Sequence, residues 1–303
     1  MSQSTARAPA AQDAQGNGVV LVLASAIVWS FGGTLARFLD ISDGWTVVFW
    51  RSVFAALFLL GFLLVRDGPR GAAVLMRSMG LPGIAVGLCF AVASTSFILA
   101  LAYTTVANVV LIQAGVPLIA ALLSFILFRE RVAVSTWVAI AAVIFGVGIM
   151  VSDSVSGTVS PLGDALAILI AFAFATATVI TRRFSHVRMT PAVFLGTVVA
   201  GLVAASQASS FSVTLSELGI LAVFGALNFG LGLVLFVTGA RLVPAALAAL
   251  LGTTETVLGP LWVALIHGEY PSVNTMIGGT IVLAALLSYL SYDMWRQNKR
   301  RAS

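Results

Sequence analysis

Charged residues are scarce in this chain. Asp, Glu, Lys and Arg together make up 9% of the 303 residues, whereas they make up about 25% of a typical soluble protein. A soluble domain needs a charged surface, and 16 basic plus 11 acidic residues cannot provide one for a chain of this size. The hydrophobic content of 60% also excludes intrinsic disorder, since disordered chains are poor in apolar residues. The composition therefore indicates a polytopic membrane protein.

Cysteine, lysine and histidine are almost missing, and each shortage excludes a kind of site. Cys89 is the single cysteine, which excludes a disulfide framework and a cysteine-based metal site. His186 and His267 are predicted in loops on opposite sides of a membrane, where they cannot share a metal ion. The single lysine, Lys299, belongs to no glycine-rich phosphate loop. We therefore expect no metal, no cofactor and no ATP-driven transport by this chain, and no ATPase subunit is implied.

Long apolar runs are what the sequence has instead. A helix needs about 20 mainly apolar residues to cross a bilayer, and ten such runs can be marked. Each is continuously apolar and too long for a tilted strand of a membrane β-barrel, so the spans are predicted to be helical. The predicted fold class is an all-α polytopic membrane protein with ten transmembrane helices, at residues 19–38, 45–65, 80–101, 105–128, 133–151, 162–181, 190–209, 218–240, 244–266 and 273–294.

The basic residues predict the orientation. All of the 16 Lys and Arg residues except Arg37 and Arg51 lie in the two tails or in the even-numbered loops. The odd-numbered loops contain acidic residues instead, such as Asp43 and Glu269. Because cytoplasmic loops are enriched in Lys and Arg, both termini are predicted to be cytoplasmic, in the cell inner (plasma) membrane. The same enrichment accounts for the net charge of +5 without a nucleic-acid partner.

The two halves of the chain are related. Glu130 follows the fourth run and Glu269 follows the ninth, and each precedes a short loop and a last apolar run. Arg129 and Arg131 flank Glu130, whereas residues 267–269 contain no Lys or Arg. A unit of five spans must lie upside down when it is repeated, which is an architecture of secondary transporters. The predicted division is a cytoplasmic tail 1–18, a first five-helix repeat 19–151, a periplasmic linker 152–161, a second inverted repeat 162–294 and a basic cytoplasmic tail 295–303.

Several short motifs resemble those of one transporter family. They are Trp29-Ser30-Phe31-Gly32 in the first span, Phe49-Trp50-Arg51 in the second, Pro117 with Glu130 around the fourth, and Glu255 with Gly268-Glu269 around the ninth. With the two five-span halves, they resemble the EamA-type family of the drug/metabolite transporter superfamily over residues 19–294. One departure is Thr256, which follows Glu255 where the family often has proline, so the kink that proline would introduce is not implied here.

The resemblance implies a function and a location for the site. Family members mostly export amino acids, including aromatic ones, and other small metabolites or drugs, and some of them import. It also implies that spans 1, 3, 4, 6, 8 and 9 line a central cavity.

Two ionisable residues lie deep in predicted spans, where a charge is costly and functional roles are common. Glu255 is about eleven residues into the ninth span, near the midplane at about 1.5 Å per residue. It could carry a proton, pair with a substrate amine or bond to a neighbouring helix. Arg51 lies about 9 Å inside the second span by the same rise. It could pair with Glu255, bind a substrate carboxylate or extend its side chain to the outer interface.

Uncharged polar residues supply the remaining candidates for substrate binding. Asn108, Gln113 and Asn228 could present donors and acceptors to an amino acid, but buried amides also bond across helices. Trp29, in the middle of the first span, could face an aromatic solute or pack in the core. The hydroxyl candidates are Ser94, Thr176 and Thr253, although a hydroxyl can also bond to its own helix.

The leading functional hypothesis is a secondary transporter that exports amino acids or related small metabolites by alternating access. The alternatives are an importer of a vitamin or other small metabolite, and a passive pore or lipid flippase. An intramembrane enzyme is disfavoured, because Glu255 is the only acidic residue near the midplane. The expected partners are a small-molecule substrate and the lipid bilayer, and the chain is expected to be a monomer or a homodimer.

Overall fold

The computed structural model describes residues 7–129, 134–155, 160–184, 187–240, 242–243 and 245–302. Every regular element among these residues is helical. Part of the predicted repeat signature and of the predicted loops lies outside the described residues, namely Glu130, Arg131, residues 156–159, His186, Arg241 and Ser303.

Thirteen α-helices and one π-helical segment make up this part of the chain. Their bounds are α1 Arg7–Ser30, α2 Gly32–Arg37, α3 Gly44–Ser78, α4 Gly80–Ala100, α5 Val106–Gln113, α6 Val116–Phe128, α7 Val134–Val155, α8 Pro161–Arg183, α9 Thr190–Gln207, α10 Leu215–Ala222, the π segment Val223–Leu231, α11 Gly232–Gly239, α12 Ala245–His267 and α13 Val273–Ala302.

The helices have the length and composition of membrane spans. Seven helical stretches in the described residues are long and apolar enough to cross a bilayer, and the bent pair α5 and α6 makes an eighth if it counts as one span. A further apolar helix, Thr136–Ser152, is shorter. Large apolar side chains face outward along these helices, for example Val65 at 90% and Leu265 at 69% exposure. The predicted class of an all-helical polytopic membrane protein is confirmed.

Three runs that were predicted as continuous helices are interrupted. The first is interrupted for one residue at Phe31, between α1 and α2, although Gly16–Arg37 still has the length and composition of a single span. The fourth bends by 41° between α5 and α6, just before Pro117, whose ring removes a backbone donor and crowds the preceding turn. The eighth contains nine consecutive π-helical residues, which place its side chains differently from those of a straight α-helix.

The second run ends close to its predicted end at residue 65. The helical segment α3 extends to Ser78, but non-helical backbone at Gly68 (φ 70°, ψ 170°), directly before Pro69, divides it into two helices. A proline disfavours helical backbone in the residue before it, which accounts for the position of this bend.

Helices from the two halves of the chain pack against each other. Helix α3 packs on α9, α4 on α8, α1 on α11 and α12, and α7 on α13. One buried cluster joins α4, α5 and α8 around Val109, Ile112 and Ile170. Another joins α7 and α13 around Ile140 and Leu286. The core therefore lies between the halves rather than inside each one.

Side-chain bonds join the odd-numbered loops at one end of the bundle, which we name the acidic end (residues 38–43, 101–105, 208–214 and 268–272). Asp43 accepts a hydrogen bond from the Ser209 backbone N–H at 2.8 Å. Arg37 Nε donates to Glu269 Oε2 at 2.7 Å and its Nη1 donates to the Leu101 carbonyl at 2.8 Å. The second and sixth loops meet elsewhere, through the ion pair of Arg188 Nη1 with Asp67 Oδ1 at 3.3 Å, which defines the basic end.

The contact between α7 and α13 depends on a close approach of two glycines. A Cβ at Gly146 would lie 2.7 Å from the Gly278 carbonyl oxygen, and a Cβ at Gly278 would lie 2.3 Å from the Gly146 oxygen. Small residues allow helix backbones to approach in this way in membranes. Gly148, two residues further along α7, has no atom within 4 Å of its Cβ position.

We expect Gly146→Leu to separate these helices and to destabilise the protein by about 1–3 kcal/mol, the usual effect of overpacking. Gly148→Leu is the matched control and should leave stability unchanged. Thermal unfolding of the detergent-solubilised variants measures both effects. Equal midpoints for the two variants would contradict the proposed close packing.

Candidate functional site

The break in the first span is bonded to the π segment of the eighth. In a continuous helix the Val28 carbonyl would accept from the backbone N–H four residues later. Here the Phe31 N–H approaches it at 3.4 Å, and the Asn228 amide donates to it at 2.5 Å. Asn228 is 5% exposed. The amide therefore satisfies a carbonyl that the break exposes, and it fixes α1 against the π segment.

Trp29 lies beside this break. Its ring packs against Phe236 of α11 with centroids 5.4 Å apart. The backbone of Gly232 lies so close that an added Cβ would be 2.4 Å from Trp29 Nε1. Two of the seven predicted binding residues, Trp29 and Asn228, thus have structural contacts here, and the Trp29 carbonyl is also within 3.5 Å of the Asn228 amide.

Arg51 is buried among aromatic rings. It is 6% exposed, and its guanidinium carbon lies 4.6 Å from the ring centroid of Phe224, 4.8 Å from Phe229 and 6.0 Å from Phe97. Its Nη1 donates to the Ser94 hydroxyl at 2.9 Å. Its Nε is buried without a hydrogen-bond partner. The structure therefore joins two predicted candidates, Arg51 and Ser94, and adds three phenylalanines that the sequence did not indicate.

Arg51 and Glu255 do not form the ion pair that was one of the predicted alternatives. The ion pairs of the described residues are Arg37 with Glu269 and Arg188 with Asp67. Nor does Arg51 extend to the outer interface, since it is buried. Its positive charge is surrounded by apolar rings and one serine.

Glu255 lies on the face of α12 that packs against α1. Four residues further along, a Cβ atom added at Gly259 would lie 3.6 Å from the Ser30 carbonyl oxygen. Leu251, four residues earlier, packs in a cluster with Val22 of α1. Residues four apart share a face of an α-helix, so Glu255 lies on the α1-facing side of α12, between these two contacts. Its side chain is partly exposed.

Asn108 belongs to a different network, toward the acidic end. Its amide donates to Asp164 of α8 and to the Thr104 hydroxyl, and its oxygen lies 3.5 Å from the Thr275 hydroxyl. Asp164 is 2% exposed. Sequence reasoning missed this buried carboxylate. Its place three residues after Pro161, inside an apolar run, was the available signal.

Three further candidates lie on α5, α8 and α12. Gln113 is at the end of α5 and donates to the Val109 carbonyl of its own helix at 3.3 Å. Thr176 of α8 and Thr253 of α12 are partly exposed. Their proposed part in substrate binding stays a prediction.

Residues of α2 and the two phenylalanines that flank it contact the end of α12 and the loop after it. We name this set the α2 network (Phe31, Thr34, Arg37 and Phe38 with Trp262, His267 and Glu269). Trp262 stacks on Phe31 at 5.2 Å and donates to the Ser30 hydroxyl at 3.0 Å. His267 Nε2 lies 3.1 Å from the Thr34 carbonyl oxygen.

Glu269 joins this network to two more helices. One carboxylate oxygen accepts from Arg37, and the other accepts from the Val106 N–H at the start of α5 at 2.8 Å. Arg37 also donates to the Leu101 and Thr104 carbonyls, which follow α4. A single ion pair thus holds together spans 1, 3, 4 and 9 at the acidic end. Arg37 was not among the predicted site residues, because its partner becomes visible only in the folded chain.

A polar cleft of about 590 Å³ also opens at the acidic end, lined by residues that include Asp40, Asp43, Ser209 and Glu217. Burial opposes ionisation of Asp43, but hydrogen bonds from the backbone N–H groups of Ser209 and Trp45 outweigh it and place the pKa of Asp43 below its usual value. The carboxylate is therefore used to join two loops. Among the described residues, no three His, Cys, Asp or Glu side chains are grouped to hold a metal ion.

This arrangement defines a class of protein. Apolar helices surround broken spans, deep polar groups and an ion-paired end, and such features are typical of membrane transporters. Two segments, residues 16–152 and 161–291, each match the EamA-like transporter family. The chain belongs to the EamA-like transporter family.

Comparison with known proteins adds evidence on the fold. No curated protein sequence matches this chain. Fifteen chains of solved structures match it. One is the crystal structure of a protein that is 16% identical, with a TM-score of 0.63 over 90% of this chain and 96% of the other. At this identity the likeness concerns the fold alone.

We expect Asn228→Ala to destabilise the protein by about 1–3 kcal/mol, because it leaves the Val28 carbonyl with only the long bond from the Phe31 N–H. Gln113→Ala is the matched amide control, since the Gln113 amide bonds only to its own helix, and its effect should be smaller. Thermal unfolding in detergent compares the two. An equal or larger loss in Gln113→Ala would show that the Asn228 bond does not fix the break.

Proposed function

We propose that this protein is a secondary transporter that exports amino acids, including aromatic ones, by alternating access. The family supports transport of small molecules. The observation that carries the proposal is the set of deep polar groups around the broken first span, with Asn228 bonded at the break, Glu255 beside α1 and Arg51 behind Phe224. Polar groups at such depth in a helical bundle usually mark a solute pathway.

The proposed topology has ten spans with cytoplasmic termini, in the inner membrane. The two segments that match the same family model, 16–152 and 161–291, coincide closely with the proposed repeats 19–151 and 162–294. Five predicted runs lie in each segment, and a repeat of five spans must be inverted. The grouping of loops at the acidic and basic ends supports this alternation.

The packing of the helices supports a two-fold relation between the repeats. Spans 2 and 7 pack together, as do spans 5 and 10, and span 1 contacts spans 8 and 9 as span 6 contacts spans 3 and 4. The close contacts of glycines with neighbouring helices agree with this two-fold relation. Gly225 of the eighth span is placed against the Arg51 carbonyl, and Gly87 of the third is placed against the Ala192 carbonyl of the seventh.

The α2 network serves as the closure of the periplasmic side in this mechanism. The short helix α2 follows the interruption at Phe31, and this is the point about which it would turn without carrying the whole first span. Opening would separate Trp262 from Phe31 and Glu269 from Arg37. Alternating access requires that one end close when the other opens, and broken helices are the usual moving parts.

The energy for transport would come from an ion gradient or from solute exchange. Glu255 is the candidate for coupling, either by carrying a proton or by pairing with the ammonium group of a solute. The ion pairs of the described residues leave Glu255 free of any basic side chain, so both roles stay open to it.

The function is tested with purified protein in liposomes and a panel of aromatic and aliphatic amino acids, a vitamin and a quaternary amine. We expect saturable counterflow of amino acids and accumulation driven by a pH gradient. Uptake without saturation would indicate a pore, and counterflow of the vitamin alone would indicate a different substrate class.

Glu255→Gln distinguishes the two roles of that residue. If Glu255 carries the coupled proton, the variant should keep solute exchange and lose accumulation. If it pairs with the solute ammonium, exchange itself should fail. Wild-type behaviour in both assays, with normal insertion, would remove Glu255 from the mechanism.

We expect Arg37→Gln to open the periplasmic side. The reporter is Thr34→Cys in a Cys89→Ala background. Thr34 is 2% exposed, and its hydroxyl has no hydrogen-bond partner, so the exchange removes no bond. A membrane-impermeant thiol reagent added outside should react several-fold faster when Arg37→Gln is present.

Arg188→Gln is the matched control, because it removes the ion pair at the opposite end. It should leave the outside reaction rate unchanged or lower it. Equal rates with and without Arg37→Gln would contradict a closing role for the α2 network.

A further inference from the structure

Arg51 carries a charge that no acidic side chain of the described residues neutralises. It is the buried cation among the residues whose burial the structure describes. The other buried charged residue in this group, Asp164, is bonded to Asn108, whereas the polar partner of Arg51 is Ser94 alone. An uncompensated charge is unfavourable in an apolar interior, so its retention here requires a reason.

The guanidinium retains unused donors. A guanidinium has five N–H donors in a planar fork that matches a carboxylate. Of these, Nη1 is bonded to Ser94, while Nε is buried without a partner. Phe224 and Phe229 stabilise the cation through their ring faces, but phenylalanine cannot accept these hydrogen bonds. The remaining donors require an acceptor, and an anionic acceptor would also neutralise the charge.

The position of Arg51 connects it to the proposed pathway. Phe224 lies between Arg51 and the break in the first span, with its ring 4.6 Å from the guanidinium carbon and its Cε2 3.8 Å from the Cβ position of Gly32. Asn228, on the same π segment, is bonded at that break. Phe224 would therefore have to move for a solute at the break to reach Arg51.

We propose that Arg51 binds the carboxylate of the transported solute, which supplies the missing counter-charge. This inference rests on the proposed function and adds a substrate requirement to it, a free carboxylate. The surrounding rings exclude water, and this strengthens a charge-assisted hydrogen bond. Solutes that differ only in this group should be separated by Arg51.

The test compares L-phenylalanine with L-phenylalaninamide, in which an amide replaces the carboxylate. L-leucine and L-leucinamide form a second pair. Binding is measured as ligand-induced thermal stabilisation in detergent, and exchange is measured in proteoliposomes. Wild-type protein should prefer each acid over its amide by roughly tenfold or more, since hydrogen bonds to charged groups are among the strong ones.

Arg51→Gln should lose this preference by weakening the binding of the acids while the amides bind as before. Arg51→Lys keeps the charge but lacks the fork, and it provides the comparison if Arg51→Gln does not fold. It should bind the acids several-fold more weakly than wild type, with the amides unchanged.

Equal weakening of acids and amides in a folded variant would overturn the inference, because Arg51 would then act through packing. Wild-type protein that binds acids and amides equally would overturn it as well, while transport itself would stand. Failure of the wild type to bind any carboxylate would overturn both this inference and the proposed export of amino acids. Counterflow of the amides or of the other panel solutes would then indicate a transporter of a different substrate class.

Discussion

Polar groups inside a bilayer must find their partners within the protein, and the arrangement of this chain depends on that constraint. In hydrocarbon no water is available to satisfy an exposed backbone carbonyl. Where the first span is interrupted at Phe31, the backbone donor left to the Val28 carbonyl is the Phe31 N–H at 3.4 Å, and Asn228 adds a shorter bond from the eighth span. The π segment places this amide against the break. The two proposed repeats are thus held together at the point where one of them is interrupted.

The same constraint divides the polar residues by role. Asn108 and Asp164 satisfy each other, and Arg37 with Glu269 satisfies the ends of α4 and α5, so these groups hold the acidic end together. Arg51 and Glu255 have no ionic partner of this kind in the described residues. An amino acid has one carboxylate and one ammonium group, which are the charges that these two side chains would neutralise. Charge balance therefore links the structure to the proposed class of solute.

The sequence predicted the spans better than their interior. Apolar length and loop charge identified the membrane helices, because both properties are local. The positions of Arg51, Asn228 and Glu255 deep inside predicted spans were enough to identify them as candidates. The break at Phe31 and the π segment were missed, since an interrupted apolar helix has the same hydropathy as a continuous one. Arg37 was set aside as an exception to the charge rule, because its partner Glu269 is 232 residues away in the chain. Contacts of this kind depend on how the helices pack, and no spacing in one sequence encodes them.

The central claim is that the two ends open in alternation, and distances between spin labels in lipid bilayers test it most directly. Labels at Tyr103 and Leu215 report on the acidic end, and labels at Val74 and Thr181 report on the basic end. All four residues are exposed, and each pair joins the two halves. When a transported amino acid is added, the account predicts that one distance lengthens by several ångström while the other shortens. Distances that stay fixed, or that lengthen together, would contradict alternating access and favour a pore.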